Sequence, residues 1–354
     1  MSIEINALAE SERGSCPEDI RFGTVFSDHM FTQVYDDGKG WHSAKIGPYG
    51  NFSLDPAAAV LHYGQEIFEG LKAYRRSDGG INLFRPDQNA QRFNRSAARM
   101  VMPEVPEAQQ IEALKALVRL DQNWVPSAEG SSLYIRPTMI ATSAKLGLGA
   151  AANYLHFIIT GPAGPYYEQG FNPVSVYVAD QHRRAVIGGI GEAKTGGNYA
   201  ASLFVSEEVA RQGYTQVLWL DAIEGRYVEE VGAMNICFVY EGSKIITPEL
   251  SGSILAGITR DSLLQLAPTL GYEVAEERVD IHQALADIES GKITEVFGCG
   301  TAAVVSPVGV LALAGKEYTI NGNQPGPVAK LLFAELLGIQ HGNREDPFGW
   351  VVSL

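Results

Sequence analysis

Cysteine is scarce in this chain. There are three, Cys16, Cys237 and Cys299, far apart and with no CxxC pair. That excludes a disulfide framework and a cysteine zinc site, and it fits unpaired thiols in a reducing compartment. Positive charge is also short. Lys and Arg total 27 against 41 Asp and Glu, a formal net charge of -14. An acidic surface repels phosphate backbones, so no nucleic-acid partner is expected. A few local arginines and lysines can still hold a small anionic substrate. No apolar run approaches a membrane span, and no membrane partner is expected. Low-complexity tracts and fixed-period repeats are missing too. The first residues, 1–19, are polar and acidic, without the basic-then-apolar order of a signal peptide. Their acids also argue against a mitochondrial transit peptide. The expectation is a cytoplasmic protein with a loose N-terminal arm over residues 1–20.

What is present is an ordinary globular composition. The chain has 354 residues, 45% of them hydrophobic, which supports two domains rather than one. Short aromatic and β-branched runs over 22–55, punctuated by Asp36-Asp37-Gly38 and Gly47-Pro48, predict a β meander. A helix is expected over 56–64, and a hairpin from Tyr74 to Phe84 around Ser77-Asp78-Gly79-Gly80. Pro86 and Asp87 open a helix to about Met100, and a second runs from about Pro106 to Asn123. Strands follow at 132–141 and 154–160. Gly161–Pro173, rich in Gly, Pro and Tyr, is the best linker candidate. Beyond it, strands at 174–178, 216–220, 237–240 and 295–297 alternate with helices near 199–211, 260–267 and 327–337. The pattern is α/β or α+β.

The most informative segment is Gly188-Gly189-Ile190-Gly191-Glu192-Ala193-Lys194-Thr195-Gly196-Gly197-Asn198-Tyr199. One lysine lies between two glycine clusters, where backbone can approach a ligand closely. A P-loop needs glycine directly before the lysine, and Ala193 is there. A dinucleotide fingerprint needs another glycine three residues after Gly191, and none follows. A surface turn with a solvated lysine is the alternative. Next come Glu229 and Glu230, adjacent acids entering an apolar, strand-like stretch. In an extended chain they point opposite ways, and an inward carboxylate needs a partner. Two solvated acids at a strand start is the alternative. Gly257-Ile258-Thr259 at a helix start, and Gly300-Thr301-Ala302-Ala303 after a strand, offer backbone amides that suit an anion. Each reads equally as a tight turn with a helix cap.

Taken together, the segments resemble the branched-chain amino acid aminotransferases of the class IV (fold type IV) pyridoxal-phosphate (PLP) enzymes. The matching residues are Phe26-Ser27-Asp28-His29-Met30, Leu61-His62-Tyr63, Phe68-Glu69-Gly70-Leu71-Lys72-Ala73, Leu83-Phe84-Arg85-Pro86, Leu133-Tyr134-Ile135-Arg136-Pro137, Gly196-Gly197-Asn198-Tyr199, Glu230-Val231-Gly232-Ala233-Met234-Asn235 and Gly300-Thr301-Ala302. They span nearly the whole chain from about Phe22.

The resemblance implies an α/β (α+β) fold of two domains with the active site between them. The expected division is a small domain over 21–162, a linker over 163–174 and a large domain over 175–354. The implied cofactor is pyridoxal 5'-phosphate. Lys194 matches the lysine that holds it as a Schiff base and then serves as base for the substrate Cα proton. Tyr199 matches the tyrosine at the phenolic oxygen, and Glu230 the acid at the pyridine nitrogen. Arg92 matches the phosphate-binding arginine, with Arg95 as the rival. Ile258 and Thr259 match the amides at the phosphate, and Thr301 the hydroxyl there. Ala302 and Ala303 match the residues that receive the substrate α-carboxylate. Phe26, Tyr63, Tyr134, Tyr166 and Gln216 match residues around the side-chain pocket. Arg136 matches an arginine that can pair with the γ-carboxylate of glutamate and stay hydrated when leucine binds.

The implied activity is ping-pong transfer of an amino group between leucine, isoleucine or valine and 2-oxoglutarate. D-amino acid aminotransferases and aminodeoxychorismate lyases of the same fold are the alternatives. The small-molecule partners are amino acids and 2-oxo acids, no metal is implied, and a homodimer is expected in which Tyr63 reaches the neighbouring site. The chain departs from some relatives at Ala303 and Ser306, where those carry a redox-sensitive CxxC. Thiol regulation there is not expected.

Overall fold

A computed structural model describes every residue except Met1, Arg21, Glu129 and 165–170. The chain divides into two compact units. The first comprises Met1–Tyr166, Ala193–Gly196 and Gly338–Leu354, and the second Tyr167–Glu192 and Gly197–Leu337.

The first unit is built on a nine-stranded sheet. Its spatial order is Glu4–Ile5, Gly40–Pro48, His29–Asp36, Asn153–Ala163, Ser132–Ala141, Leu71–Arg75, Ile81–Phe84 and Val351–Ser353, with Glu66–Phe68 paired to Ser132–Ala141 as well. The two long central strands alternate buried and half-buried residues along nearly their whole length. That is the signature of a sheet with one face covered. The cover is helical. Helix Glu107–Leu120 turns Ala113, Leu114, Leu117 and Val118 into a core with Phe31, Leu71, Leu83, Leu133 and Ile135. Helix Pro86–Arg99 begins with proline at its first position, where no N–H is needed. The residue before it, Arg85, takes the left-handed conformation, and its guanidinium lies 5.2 Å from the centre of the Trp350 ring.

Two sequence expectations change here. The N-terminal arm is not loose. Glu4–Ile5 pairs in parallel with Lys45–Ile46. Leu8 N–H donates to His29 Nε2 at 3.0 Å and Gly14 N–H to Asp28 Oδ2 at 2.9 Å. His29 is itself buried and held through Nδ1 by Asp121 at 2.5 Å. The last residues also part from the expected 175–354 domain. Val351–Ser353 completes the first unit's sheet against Asn82–Phe84, and Trp350 packs edge-on against Phe84. Aromatic packing and an open sheet edge decide this, and neither is a local property of the C-terminal sequence.

The second unit has a mixed nine-stranded sheet. Its order is Val228–Val231, Gln216–Leu220, Val174–Val178, Val304–Leu313, Ile293–Gly300, Asn235–Tyr240, Lys244–Thr247 and Glu273–Glu276, with Lys316–Thr319 on Val304–Leu313. Helices Gly196–Arg211, Ile258–Thr269, Ile281–Glu289 and Pro327–His341 accompany it. Ile281–Glu289 was not anticipated. Asp280 caps it by accepting the His282 N–H at 2.9 Å. The expected linker is partly strand, since Gly161–Ala163 pairs with Ser132–Tyr134. No helix among the described residues is long and apolar enough to cross a membrane.

Candidate active site

In the first unit, the segment Lys194–Gly196 is clamped along strand Glu66–Phe68. Phe68 N–H donates to Lys194 O at 3.0 Å, Lys194 N–H to Ser96 Oγ at 2.9 Å, and Thr195 Oγ1 to Glu66 O at 2.8 Å. Gly196 N–H donates to the Glu66 carboxylate. A Cβ at position 196 would lie 2.5 Å from Glu66 Oε1, so a larger residue there must displace that carboxylate. The Lys194 side chain thus leaves a fixed backbone and places Nζ 5.0 Å from the centre of the Phe68 ring. Burial pulls its amine down to about 8, with Arg92 and Arg136 adding to the fall and Glu69 and Tyr134 opposing it.

Arg92 is buried on helix Pro86–Arg99, while Arg95 is exposed. Arg92 grips Glu69 with Nε at 2.7 Å and Nη2 at 2.9 Å, a bidentate pair. Asn89 Nδ2 and Gly70 N–H also donate to Glu69, at 2.6 and 3.0 Å. Burial pushes the Glu69 carboxyl up, but Arg92, Lys194 and Asn89 together hold it below the usual range.

Arg136 and Tyr134 lie two apart on strand Ser132–Ala141. Arg136 Nη2 donates to Tyr134 Oη at 3.0 Å. Its guanidinium carbon is 4.7 Å from the centre of the Phe68 ring and 5.2 Å from that of Tyr134. Arg136 Nε is buried and has no hydrogen-bond partner among the described residues. A cavity of about 280 Å³ opens here, lined by Phe22, Phe26, Tyr134, Arg136, Thr160 and Gly161. Tyr63 stands apart, at the end of the short helix Ala59–Tyr63. It is exposed, as are Leu61, Leu146 and Leu148, and its hydroxyl donates to Leu146 O. Tyr166 lies outside the described residues.

In the second unit, Glu230 is buried on strand Val228–Val231. It accepts Leu255 N–H at 2.8 Å and pairs with Arg184 Nη2 at 3.3 Å. Arg184 also donates to Ser253 O at 2.7 Å. Helix Ile258–Thr269 starts at Gly257 with no capping side chain. Its first intrahelical bond is Asp261 N–H to Gly257 O, so the amides of Ile258 and Thr259 have no acceptor within the helix. Asn235 shapes this start. It donates to Leu255 O at 3.0 Å, and its Oδ1 lies 1.9 Å from where a Cβ on Gly257 would be. Thr301, Ala302 and Ala303 form the turn of a hairpin between Ile293–Gly300 and Val304–Leu313, not a helix cap. Gln216 opens strand Gln216–Leu220, with its Oε1 over Gly232, which has φ of +58°. Tyr199 is half-buried in the first turn of helix Gly196–Arg211.

The residues present fit a phosphorylated aldehyde cofactor. They offer a partly neutral amine, uncapped helix amides for an anion, and a buried carboxylate for a ring nitrogen. Sequence reading quoted Phe68 and Glu69 as motif letters only and gave them no role. It used Phe22 only as the start of the resemblance and passed over Glu66 and Arg184 altogether. The signals were faint: an isolated acid before an apolar pair at Glu66, and two arginines ten residues before the lysine.

The family model for class IV amino-transferases matches residues 66–310. A probable branched-chain-amino-acid aminotransferase of Streptomyces coelicolor is 52% identical over 348 residues, covering 98% of this chain and 96% of its own. Branched-chain-amino-acid transaminase 1 of Bacillus subtilis is 50% identical over 339 residues, covering 96% and 95%. Among solved structures, the branched-chain amino acid aminotransferase of Escherichia coli aligns with a TM-score of 0.74 at 28% identity, covering 90% of this chain and 98% of that one. Another branched-chain amino acid aminotransferase, solved with pyridoxamine 5'-phosphate, aligns with a TM-score of 0.74 at 30% identity, covering 90% and 97%. The chain belongs to the class IV aminotransferases, which are PLP-dependent transaminases of fold type IV. Within them it belongs to the branched-chain amino acid aminotransferases.

Proposed function

We propose that the chain uses pyridoxal 5'-phosphate to move an amino group reversibly between leucine, isoleucine or valine and 2-oxoglutarate. The observation that carries this is the lowered Lys194 amine clamped beside Phe68, with Arg136 and Tyr134 at the cavity. Bound PLP would supply an aldehyde to take the amino group and a ring to accept electrons from Cα.

The chain's residues divide the remaining work. Lys194 holds the cofactor, and its amine, lowered to about 8, takes and returns the Cα proton. Glu230 keeps a negative charge for the ring nitrogen, and Tyr199 gives a hydroxyl to the phenolic oxygen. The amides of Ile258 and Thr259, with Arg92 and Thr301, hold the phosphate. Ala302 and Ala303 receive the α-carboxylate in their turn. Phe26 and Tyr134 offer aromatic walls to an aliphatic side chain, Gln216 is a further residue assigned to the substrate, and Arg136 takes the second carboxylate of glutamate.

The same reading includes a homodimer in which Tyr63 serves the neighbouring site. The exposed apolar side chains of Leu61, Tyr63 and Leu146, the last two in contact, support it. It also includes the cytoplasm, which suits three free cysteines. An amino-donor screen with 2-oxoglutarate tests the activity. Leucine, isoleucine and valine should be the best donors, and preference for a D-amino acid would overturn the reading. Sedimentation tests the dimer.

A further inference from the structure

Glu229 precedes Glu230 on strand Val228–Val231, and both are only 4% exposed. The sequence expectation has one of them reaching solvent, and neither does. Among the described residues the cation that faces both is Arg184, which pairs with Glu230 and acts on Glu229 through space. A third acid, Asp221, also faces Glu229. Burial pushes the Asp221 carboxyl up, but N–H groups of Ile223, Glu224, Arg226 and Tyr227 at 2.7–3.1 Å hold it down at about 2. Asp221 is therefore an anion near neutral pH. If both glutamates were ionised as well, three buried anions would lie together, with Arg184 facing the two glutamates and Arg278 acting on Asp221, an arrangement with a large desolvation cost.

Hydrogen bonding separates the two glutamates. Glu230 has the amide of Leu255 and the charge of Arg184. Glu229 Oε1 is in short contact with the Ser253 hydroxyl, and its Oε2 is buried with no hydrogen-bond partner among the described residues. Ser253 Oγ lies 2.8 Å from Ser251 Oγ. A serine hydroxyl has one proton. If Glu229 supplies its own proton, Ser253 can accept it and donate onward to Ser251.

We propose that Glu229 is a neutral carboxylic acid in the folded protein, donating to Ser253, and that its neutrality reserves Arg184 for an anionic Glu230. Glu229 is then a positioning residue, acting through Arg184. An unpaired carbonyl oxygen of a neutral acid is far less costly than an unpaired carboxylate oxygen. Burial pushes the Glu229 carboxyl up in the same sense, with Glu230 and Asp221 adding and Ser253 and Arg184 opposing. Glu229 also borders a cavity of about 360 Å³ whose other charged or titratable residues are Asp221, Glu224, Tyr227, Glu249 and Arg278. Arg278 is engaged there by Glu224 at 3.0 Å and by the Tyr227 ring at 3.5 Å. It adds no free cation for Glu229.

The position of this proton does not depend on what Glu230 does. Its catalytic meaning rests on the reading of Glu230 as the acid at the ring nitrogen. Infrared difference spectra of the holoenzyme, parent minus Glu229→Gln, should show the carbonyl band of a protonated carboxylic acid at neutral pH. A second readout is stability. A group whose folded pKa is raised loses stabilisation as pH climbs from its unfolded value toward its folded one. Glutamine, a neutral isostere, has no such loss. The unfolding temperature of Glu229→Gln should therefore gain on the parent as pH rises from about 5 to 8. If the variant does not fold, the parent's own band against pH gives the answer. Absence of any protonated-carboxyl band at neutral pH overturns the proposal, as does a stability deficit of Glu229→Gln that widens with pH. If the band is present but Glu230→Gln transfers amino groups at the parent rate, the proton assignment stands and the role of Glu230 falls.

Discussion

The Tyr134 hydroxyl occupies the space that a side chain at Gly70 would fill. A Cβ there would lie 2.1 Å from Tyr134 Oη and 3.0 Å from Cζ. Tyr134 Oη is also the acceptor for Arg136 Nη2. Gly70 therefore sets where the tyrosine rests and, through it, where the guanidinium is aimed. Gly70→Ala must push the rigid phenol aside. Overpacking of this kind costs about 1–3 kcal/mol. The expected outcome is a lower unfolding temperature and a weaker kcat/KM for glutamate than for leucine. Parallel kinetics with the two donors check it, and equal losses would mean that Gly70 matters only for packing.

Arg136 itself gives the sharper contrast. Its guanidinium is braced by Phe68 and Tyr134, and Nε is without a partner among the described residues, so it is poised for a second carboxylate. Arg136→Met keeps the apolar stem and removes the charge. Loss of a charge-assisted pair there should cost about 2–4 kcal/mol, roughly 30- to 1000-fold in kcat/KM for glutamate. Leucine should change little. Single-turnover kinetics on both donors decide, and a comparable loss for leucine would remove the carboxylate role.

Two buried lysines have amines pulled down to about 8, Lys194 and Lys72. Chemistry should select Lys194. Borohydride treatment of the PLP-loaded protein, followed by peptide mapping, should place the reduced adduct on Lys194, and Lys194→Ala should lose it. An adduct on Lys72 would refute the assignment. The pH dependence has a definite sign. A depressed amine is cationic and unreactive below its pKa and nucleophilic above it. The rate of PLP attachment to the apoprotein should rise through pH about 8 and then level off. A rate that does not change until well above that value would show an unperturbed amine.

Glu230→Gln should slow Cα deprotonation by about 100-fold or more, because the charge is needed only where electrons accumulate. Glu229→Gln should be mild by comparison. Glu229 is buried rather than solvated, and glutamine resembles its neutral form. Isotope-sensitive single-turnover rates with Cα-deuterated leucine check both, and equal slowing would mean that the two acids share one role.

The sequence by itself determined the element pattern and the chemical identities. The strands at 132–141 and 154–160, and the Pro86 start of a helix, are local properties of the chain and were legible, while the continuation of the second strand through Ala163 was not. So was the glycine-flanked Lys194, whose neighbours exclude the two common nucleotide loops. Tertiary structure decided the partners. Arg92 rather than Arg95 turns inward because the helix's buried face is set by the sheet beneath it. Glu229 is buried because the segment around Ser253 covers its side of an edge strand, which alternation along the strand cannot reveal. Cys299 finds Cys237 near it because strands Asn235–Tyr240 and Ile293–Gly300 pair antiparallel, with Cys237 opposite Phe297 and Cys299 opposite Asn235, two residues along on the same face. The arm and the C-terminal strand depend likewise on distant open edges of one sheet. Local sequence sets what a segment can be, and long-range pairing and burial set which charges, rings and backbone groups meet.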